Sequence, residues 1–84
     1  MGEIFVICTR SEGGRFLRDA TTSPEILNDK LNAIFREWTG EGWNNIKTQF
    51  PDRDERDAAP LLSVTRFKDN ANGWRVVEVY YIKE

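Results

Sequence analysis

The sequence contains no histidine, a single cysteine (Cys8) and no long apolar run. Without histidine the chain cannot build a Ser-His-Asp or Cys-His catalytic group, a histidine-ligated zinc site or an imidazole pH switch. One cysteine excludes an internal disulfide and a cysteine-rich metal site. No stretch approaches the about 18 apolar residues of a membrane span, and no basic segment of a secretory signal opens the chain, so we expect a cytoplasmic protein without membrane contact.

The residues that are present describe one ordered domain. A chain of 84 residues that is 39% hydrophobic and 12% aromatic has enough apolar material for one core, and residues 1–84 leave no room for a second. Twelve Lys and Arg against fourteen Asp and Glu give a net charge of -2. Duplex binding needs a concentrated basic face, so this dispersed charge argues against nucleic acid as a partner.

Two strands are predicted at the N-terminus. Residues 3–9 (EIFVICT) are rich in β-branched and aromatic types without helical spacing, as in a strand in the middle of a sheet or at an interface. The two faces of this strand carry Ile4, Val6 and Cys8 on one side and Phe5 and Ile7 on the other. The turn residues 11–14 (SEGG) lead into residues 15–20, whose charges are typical of an edge strand.

A helix of about 16 residues follows. Ser23 can cap it, Pro24 suits the first helical position and Glu25 favours the positive end of the helix dipole. Thr22 with Glu25 also fits a capping box, which leaves the start open by one residue. Gly40 is the predicted C-cap. The apolar stripe consists of Leu27, Leu31, Ile34, Phe35 and Trp38.

The middle of the chain is less regular. Residues 41–50 fit a strand by alternation and a helix by the spacing of Trp43, Ile46 and Phe50, and the preceding glycines favour the strand. Residues 51–59 (PDRDERDAA) lack apolar periodicity and are predicted to form an exposed loop.

A hairpin is predicted at the C-terminus. A three-residue loop over residues 71–73, with Gly73 in the left-handed conformation, places Asn70 opposite Trp74. The register that follows pairs Phe67 with Val77, Thr65 with Val79, Arg66 with Glu78 and Val64 with Tyr80. A two-residue loop of Asn72 and Gly73 would place charged residues opposite core residues, so it is disfavoured.

The element order predicts an α+β two-layer domain. We expect a mainly antiparallel sheet of four to five strands, in the order strand, strand, helix, strand, strand, strand, covered on one face by a single long helix. The first and last strands are apolar on both sides, so we expect the second sheet face to pack on another copy or on a protein partner. The alternative is that the loop at residues 51–59, or a second helix at residues 43–50, folds over that face.

A resemblance supports this fold. The segment from Leu31-Asn32 through Glu41-Gly42-Trp43 is similar to small uncharacterised bacterial domains whose helix ends in Glu-Gly-Trp and leads back into the sheet. With the predicted strand that follows, the resemblance covers about 18 residues, and it implies a fold but no chemistry. The acidic loop and the long C-terminal hairpin depart from that pattern. The compact chain also looks like accessory products of mobile genetic elements, without a shared motif.

The residue types in the sequence, and their spacing, disfavour catalysis and metal binding. Asp52, Asp54, Glu55 and Asp57 crowd one loop, but Asp57 stands where an EF-hand needs glycine, and two arginines neutralise the cluster. Cys8 lies in an apolar strand, where a thiol is normally inert. There is no glycine-rich phosphate loop and no spaced pair of buried carboxylates. We therefore expect neither an enzyme nor a cofactor.

The aromatic residues are the best candidates for a binding surface. We expect contact with a partner or ligand at Trp74, Val76, Tyr80, Ile82 and Trp43. Single-strand binding would also need a basic groove; Arg66, Lys68 and Arg75 are near in sequence, but Glu78 interrupts them. The hypothesis is a small non-catalytic protein-interaction module of accessory type, a homodimer through an apolar sheet face. The alternative is a small-ligand-binding protein with an aromatic-lined pocket between helix and sheet.

Overall fold

The computed structural model describes residues 2–52 and 60–83 of the chain. In these residues the chain forms five strands and one helix: β1 (Glu3–Ser11), β2 (Gly14–Thr21), α1 (Pro24–Gly40), β3 (Asn44–Gln49), β4 (Leu61–Lys68) and β5 (Trp74–Lys83). The strands form one antiparallel sheet in the order β2-β1-β5-β4-β3. The predicted α+β fold is confirmed, and because β3 is a strand, the alternative of a second helix at residues 43–50 is wrong. The predicted loop lies mostly at residues 53–59, outside the described residues.

Strand β1 lies inside the sheet, between β2 and β5. Phe5, Ile7 and Thr9 are buried on one face, while Val6 and Cys8 are half-buried on the other. This arrangement explains why the apolar run has no polar side. Strand β2 is an edge strand with mostly exposed residues, as its charges predicted.

The start of α1 follows the predicted capping chemistry. The backbone N–H of Ile26 donates to the Ser23 Oγ at 3.3 Å, and Pro24 opens the helix. Ser23 is therefore the N-cap, and not Thr22. The backbone N–H of Glu25, and then the Ser23 hydroxyl, which donates to the Glu25 carboxylate at 3.0 Å, lower the pKa of that carboxyl.

The end of α1 differs from the prediction. Gly40 is still helical, and Gly42 is the glycine with left-handed backbone, at φ 96°. The N–H of Gly42 donates to the Thr39 carbonyl, and the N–H of Trp43 donates to the Trp38 carbonyl at 2.9 Å. These two bonds form a Schellman motif, which needs its left-handed residue one position after the cap. Predicting Gly40 as the C-cap was therefore wrong.

The core lies between α1 and the sheet. Trp38 of the helix meets Phe67 of β4 edge-on, with ring centroids 5.1 Å apart. The buried cluster consists of Ile7, Ile34, Trp38, Phe67 and Val77, with Leu27, Leu31, Phe35 and Trp43 packed around it. Each residue of the predicted helix stripe belongs to this layer, so the stripe is confirmed.

The C-terminal hairpin has a different register from the predicted one. Lys68 lies opposite Trp74 and Phe67 opposite Arg75, a shift of two residues. The left-handed residue is Asn72, at φ 64°, and not Gly73. Over residues 63–68 and their partners, this even shift leaves each side chain on its predicted face, because side chains alternate with a period of two.

An aspartate explains the shift. The Asp69 Oδ1 accepts hydrogen bonds from the N–H groups of Ala71 at 2.9 Å and Gly73 at 2.7 Å. The Asp69 N–H in turn donates to the Gly73 carbonyl at 3.2 Å. The carboxylate thus organises a longer turn than a glycine-based loop needs, as aspartate side chains commonly do.

Candidate functional site

The candidate site is the sheet face opposite α1, here called the open face. Val77 of β5 packs in the core beneath the helix, so the even-numbered residues of β5 point the other way. They are Trp74, Val76, Glu78, Tyr80 and Ile82. In the described part of the chain no helix covers these side chains. Four of the five predicted contact residues therefore share one surface.

Trp43 is the exception. It packs against the core on the helix side, and the guanidinium carbon of Arg75 lies 4.4 Å from the centroid of its ring. The space between helix and sheet is filled here by Trp38 and Phe67. A small cleft of about 200 Å³ at the end of the helix is lined by Trp38 and Arg75 among others, and Trp43 is not part of its lining. Trp43 and the aromatic residues of the open face thus form no common pocket.

One end of the open face is apolar. Ile4 pairs with Ile82 and Val6 with Tyr80, on the two central strands β1 and β5. These four side chains are half-buried, and Leu17 of β2, which pairs with Cys8 in the adjacent row of the face, is 69% exposed. We call these five residues the apolar end: Ile4, Val6, Leu17, Tyr80 and Ile82.

The other end of the open face is cationic. Arg10 of β1 pairs with Arg15 of β2 and, on its other side, with Val76 of β5. Arg66 of β4 pairs with Val76 and, on its other side, with Lys47 of β3. Lys68 lies opposite Trp74, next to this row. We call the five basic residues the cationic end: Arg10, Arg15, Lys47, Arg66 and Lys68.

The cations lie close to the aromatic rings of this face. The guanidinium carbon of Arg10 is 5.9 Å from the Trp74 ring centroid, and that of Arg15 is 5.9 Å from the Tyr80 ring. Val76, at the centre of the row, is only 1% exposed. Val76 pairs with Arg10 on one side and Arg66 on the other; Arg66 is exposed, whereas the Nε of Arg10 is buried and has no hydrogen-bond partner in the described part of the chain.

Glu78 separates the two ends. It is 3% exposed and lies between Cys8 and Val64 in the register. Its Oε1 is 3.3 Å from the Nε of Arg15. A buried carboxylate needs such a partner, because an unpaired charge is costly to remove from water.

The charge of Glu78 contributes to raised pKa values of two neighbouring groups, the Cys8 thiol and the Tyr80 hydroxyl. Burial, and then the negative charge of Glu78, raises the pKa of the Cys8 thiol. The same two causes, in the same order, raise the pKa of the Tyr80 hydroxyl. Both groups therefore stay protonated at neutral pH, and the thiol is a poor nucleophile.

No metal ligand set was found in residues 2–52 and 60–83, where no three acidic or thiol side chains gather. Of the acidic loop residues considered above, only Asp52 lies within the described residues. No described helix is long and apolar enough to cross a membrane.

The sequence did not reveal the cationic end, because its members come from four strands. Only the Arg10–Arg15 pair has a local signal, since both residues flank the same short turn. Arg75, which is near Arg66 and Lys68 in sequence, lies on the helix side of the sheet, where it faces the rings of Trp38 and Trp43.

Comparisons of the chain with protein families, with curated proteins and with solved structures found no match. The resemblance to bacterial domains with a helix ending in Glu-Gly-Trp therefore remains a prediction. Function must be argued from the open face itself.

Proposed function

We propose that this chain is a small non-catalytic interaction module that forms a homodimer through the apolar end of its open face. The observation that carries the proposal is the pair of adjacent apolar cross-strand contacts, Ile4 with Ile82 and Val6 with Tyr80, on the two central strands β1 and β5. Apolar residues on the central strands of a sheet normally lie under a second layer. Among the described elements, α1 supplies that layer on the opposite face only.

A second copy suits this surface for two reasons. A two-fold axis through the apolar end brings the same residues of both copies together, as isologous interfaces require. It also leaves Lys47, Arg66 and Lys68 of each copy away from the axis, so that these like charges do not meet. A small domain gains more from such a partner than a large one, because its own core is small.

The non-catalytic part of the proposal is supported by the protonation of the open face. The buried carboxylate of Glu78 is held by Arg15, and the neighbouring Cys8 and Tyr80 have raised pKa values. Neither Cys8 nor Tyr80 is therefore the anion that nucleophilic catalysis at neutral pH needs. The same proposal includes an accessory role towards another protein and a cytoplasmic location, where a free thiol such as Cys8 stays reduced.

Native mass spectrometry of the protein at micromolar concentration tests the proposal. We expect a mass twice the 9.8 kDa of one chain. Leu17→Asp, at an exposed position of the apolar end, and Ile82→Asp should both give monomers, because each introduces a charge into the interface. The control is Ile26→Asp, at a position on α1 that is 48% exposed, and it should stay dimeric.

Two results contradict the homodimer. One is a monomeric wild-type protein, and the other is an unchanged dimer in both the Leu17→Asp and the Ile82→Asp variants. A monomer that retains a small molecule would favour the alternative, a ligand-binding protein. Circular dichroism of each variant shows whether a change in mass reflects unfolding.

A further inference from the structure

We infer that the cationic end of the open face, together with Trp74, binds single-stranded nucleic acid. Phosphates lie along the cationic row and a base stacks on the Trp74 ring. The inference goes beyond the homodimer and does not depend on it, because the apolar end and the cationic end share no residue.

The fold concentrates positive charge on one part of the open face. The row from Arg15 through Arg10 and Arg66 to Lys47 crosses all five strands of the described sheet. At about 4.8 Å between neighbouring strands, it is about 19 Å long. The whole chain has a net charge of -2, so this row reflects the fold and not the composition. A line of cations of this kind is what a phosphate backbone requires.

Glu78, the acidic residue that interrupts the basic residues in sequence, is buried on this face. Its side chain is 5% exposed, and the Nε of Arg15 lies 3.3 Å from its Oε1. The carboxylate is thus buried beneath the surface and partly neutralised, while Lys47, Arg66 and Lys68 are exposed. A backbone that lies on the face meets the cations and not this carboxylate.

The aromatic ring of Trp74 lies beside the cationic end. Trp74 is half-buried, with Lys68 opposite it and the Arg10 guanidinium 5.9 Å from its centroid. Unpaired bases stack on such rings, and arginine beside the ring adds a cation–π contribution. A duplex keeps its base faces covered, and the carboxylate side chains of an acidic peptide have no flat ring to stack. The combination of cations and an aromatic ring therefore favours single-stranded nucleic acid over a duplex and over an acidic peptide.

Fluorescence anisotropy with a labelled 12-nucleotide oligothymidylate tests the inference. The protein should bind at low salt, and the binding constant should fall steeply as salt increases, because counterions are released from the phosphates. The double variant Arg66→Gln/Lys68→Gln should bind at least tenfold more weakly and show a shallower salt slope. The control Arg18→Gln/Arg36→Gln removes the same charge from the helix side and from β2, and should stay within twofold of wild type.

A second variant separates stacking from charge. Trp74→Leu should weaken binding about fivefold or more while it leaves the salt slope unchanged. Native masses of all variants are measured in parallel, so a loss of binding and a loss of the homodimer are observed independently. Circular dichroism confirms that each variant is folded.

Four results would overturn the inference. They are no binding at low salt, equal losses in the two double variants, equal competition by a duplex, and equal competition by polyglutamate with no effect of Trp74→Leu. The last result would assign the cationic end to an acidic protein.

Discussion

Arg15 extends from the edge strand β2 across β1, so that its Nε lies 3.3 Å from the Oε1 of Glu78 on the central strand β5. The arginine is about half exposed, whereas the carboxylate is buried. One ion pair therefore ties the outermost strand on this side to the middle of the sheet. It also places the buried negative charge at the border between the apolar and the cationic end.

Arg15→Ala should lower the free energy of unfolding by about 1 to 2 kcal/mol, less than for a fully buried pair because Arg15 is partly solvated. The loss arises because Glu78 stays buried without its partner. The double variant Arg15→Ala/Glu78→Gln should recover most of this loss. Urea unfolding of the four proteins in the cycle measures the coupling, and a coupling of zero would show that the pair contributes nothing.

Glu78→Gln should accelerate alkylation of Cys8 by iodoacetamide near pH 8. The Glu78 charge is the second cause, after burial, of the raised pKa of the thiol, so its removal lowers that pKa and increases the thiolate fraction. The rate profile should shift to lower pH as a whole. Glu41→Gln, on the helix side, is the control and should leave the profile in place. A rate increase without a pH shift would indicate local opening instead.

Stability should decline at alkaline pH because of the same two acids. The pKa values of Cys8 and Tyr80 are raised in the folded state, so the folded protein keeps protons that the unfolded chain releases. The contribution of Cys8 and Tyr80 to the free energy of unfolding is fully present below the pKa values that these groups have in the unfolded chain. It is lost as pH rises above about 9. Urea midpoints between neutral and alkaline pH measure the decline. Tyr80→Phe should make it shallower, and an identical slope would exclude Tyr80 as a source.

Asp69→Ala should destabilise the protein by about 1 to 2 kcal/mol, because the N–H groups of Ala71 and Gly73 lose a charged acceptor. Asn70→Ala, at an exposed position of the same turn, is the matched control and should change the free energy of unfolding by less than about 0.5 kcal/mol. Thermal unfolding followed by circular dichroism measures both variants. Equal effects at the two positions would show that the turn does not depend on the carboxylate.

Local signals predicted most of the fold. Ser23 and Pro24 start α1 as expected, and the apolar run at residues 3–9 forms a strand that is buried on one face and half-buried on the other. The hairpin register was wrong by two residues, because it depends on hydrogen bonds of the Asp69 side chain that a glycine-based loop does not include. The predicted C-cap of α1 was wrong for a related reason. Both Gly40 and Gly42 could end the helix, and only the hydrogen bonds of the Schellman motif show that Gly42 is the left-handed residue.

The candidate site was predicted only in part. The alternation in β5 placed Trp74, Val76, Tyr80 and Ile82 on one face, whatever the register. The cationic end needs the order of strands, and nothing local in the sequence shows that β1 pairs with β5. Arg10 and Arg66 are distant in sequence and come to opposite sides of Val76 only through that pairing.

The pairing of β1 with β5 also has a consequence for folding. Strand β5 is the last element along the described chain, yet it is the middle strand that joins the β1–β2 hairpin to the β3–β4 hairpin. Until β5 is in place, neither hairpin has its central neighbour, and α1 has no complete sheet to cover. Pairings of such long sequence separation form slowly. We therefore expect the complete sheet to form only after β5 has been synthesised, and a nascent chain without β5 to hold the two hairpins without the strand that joins them.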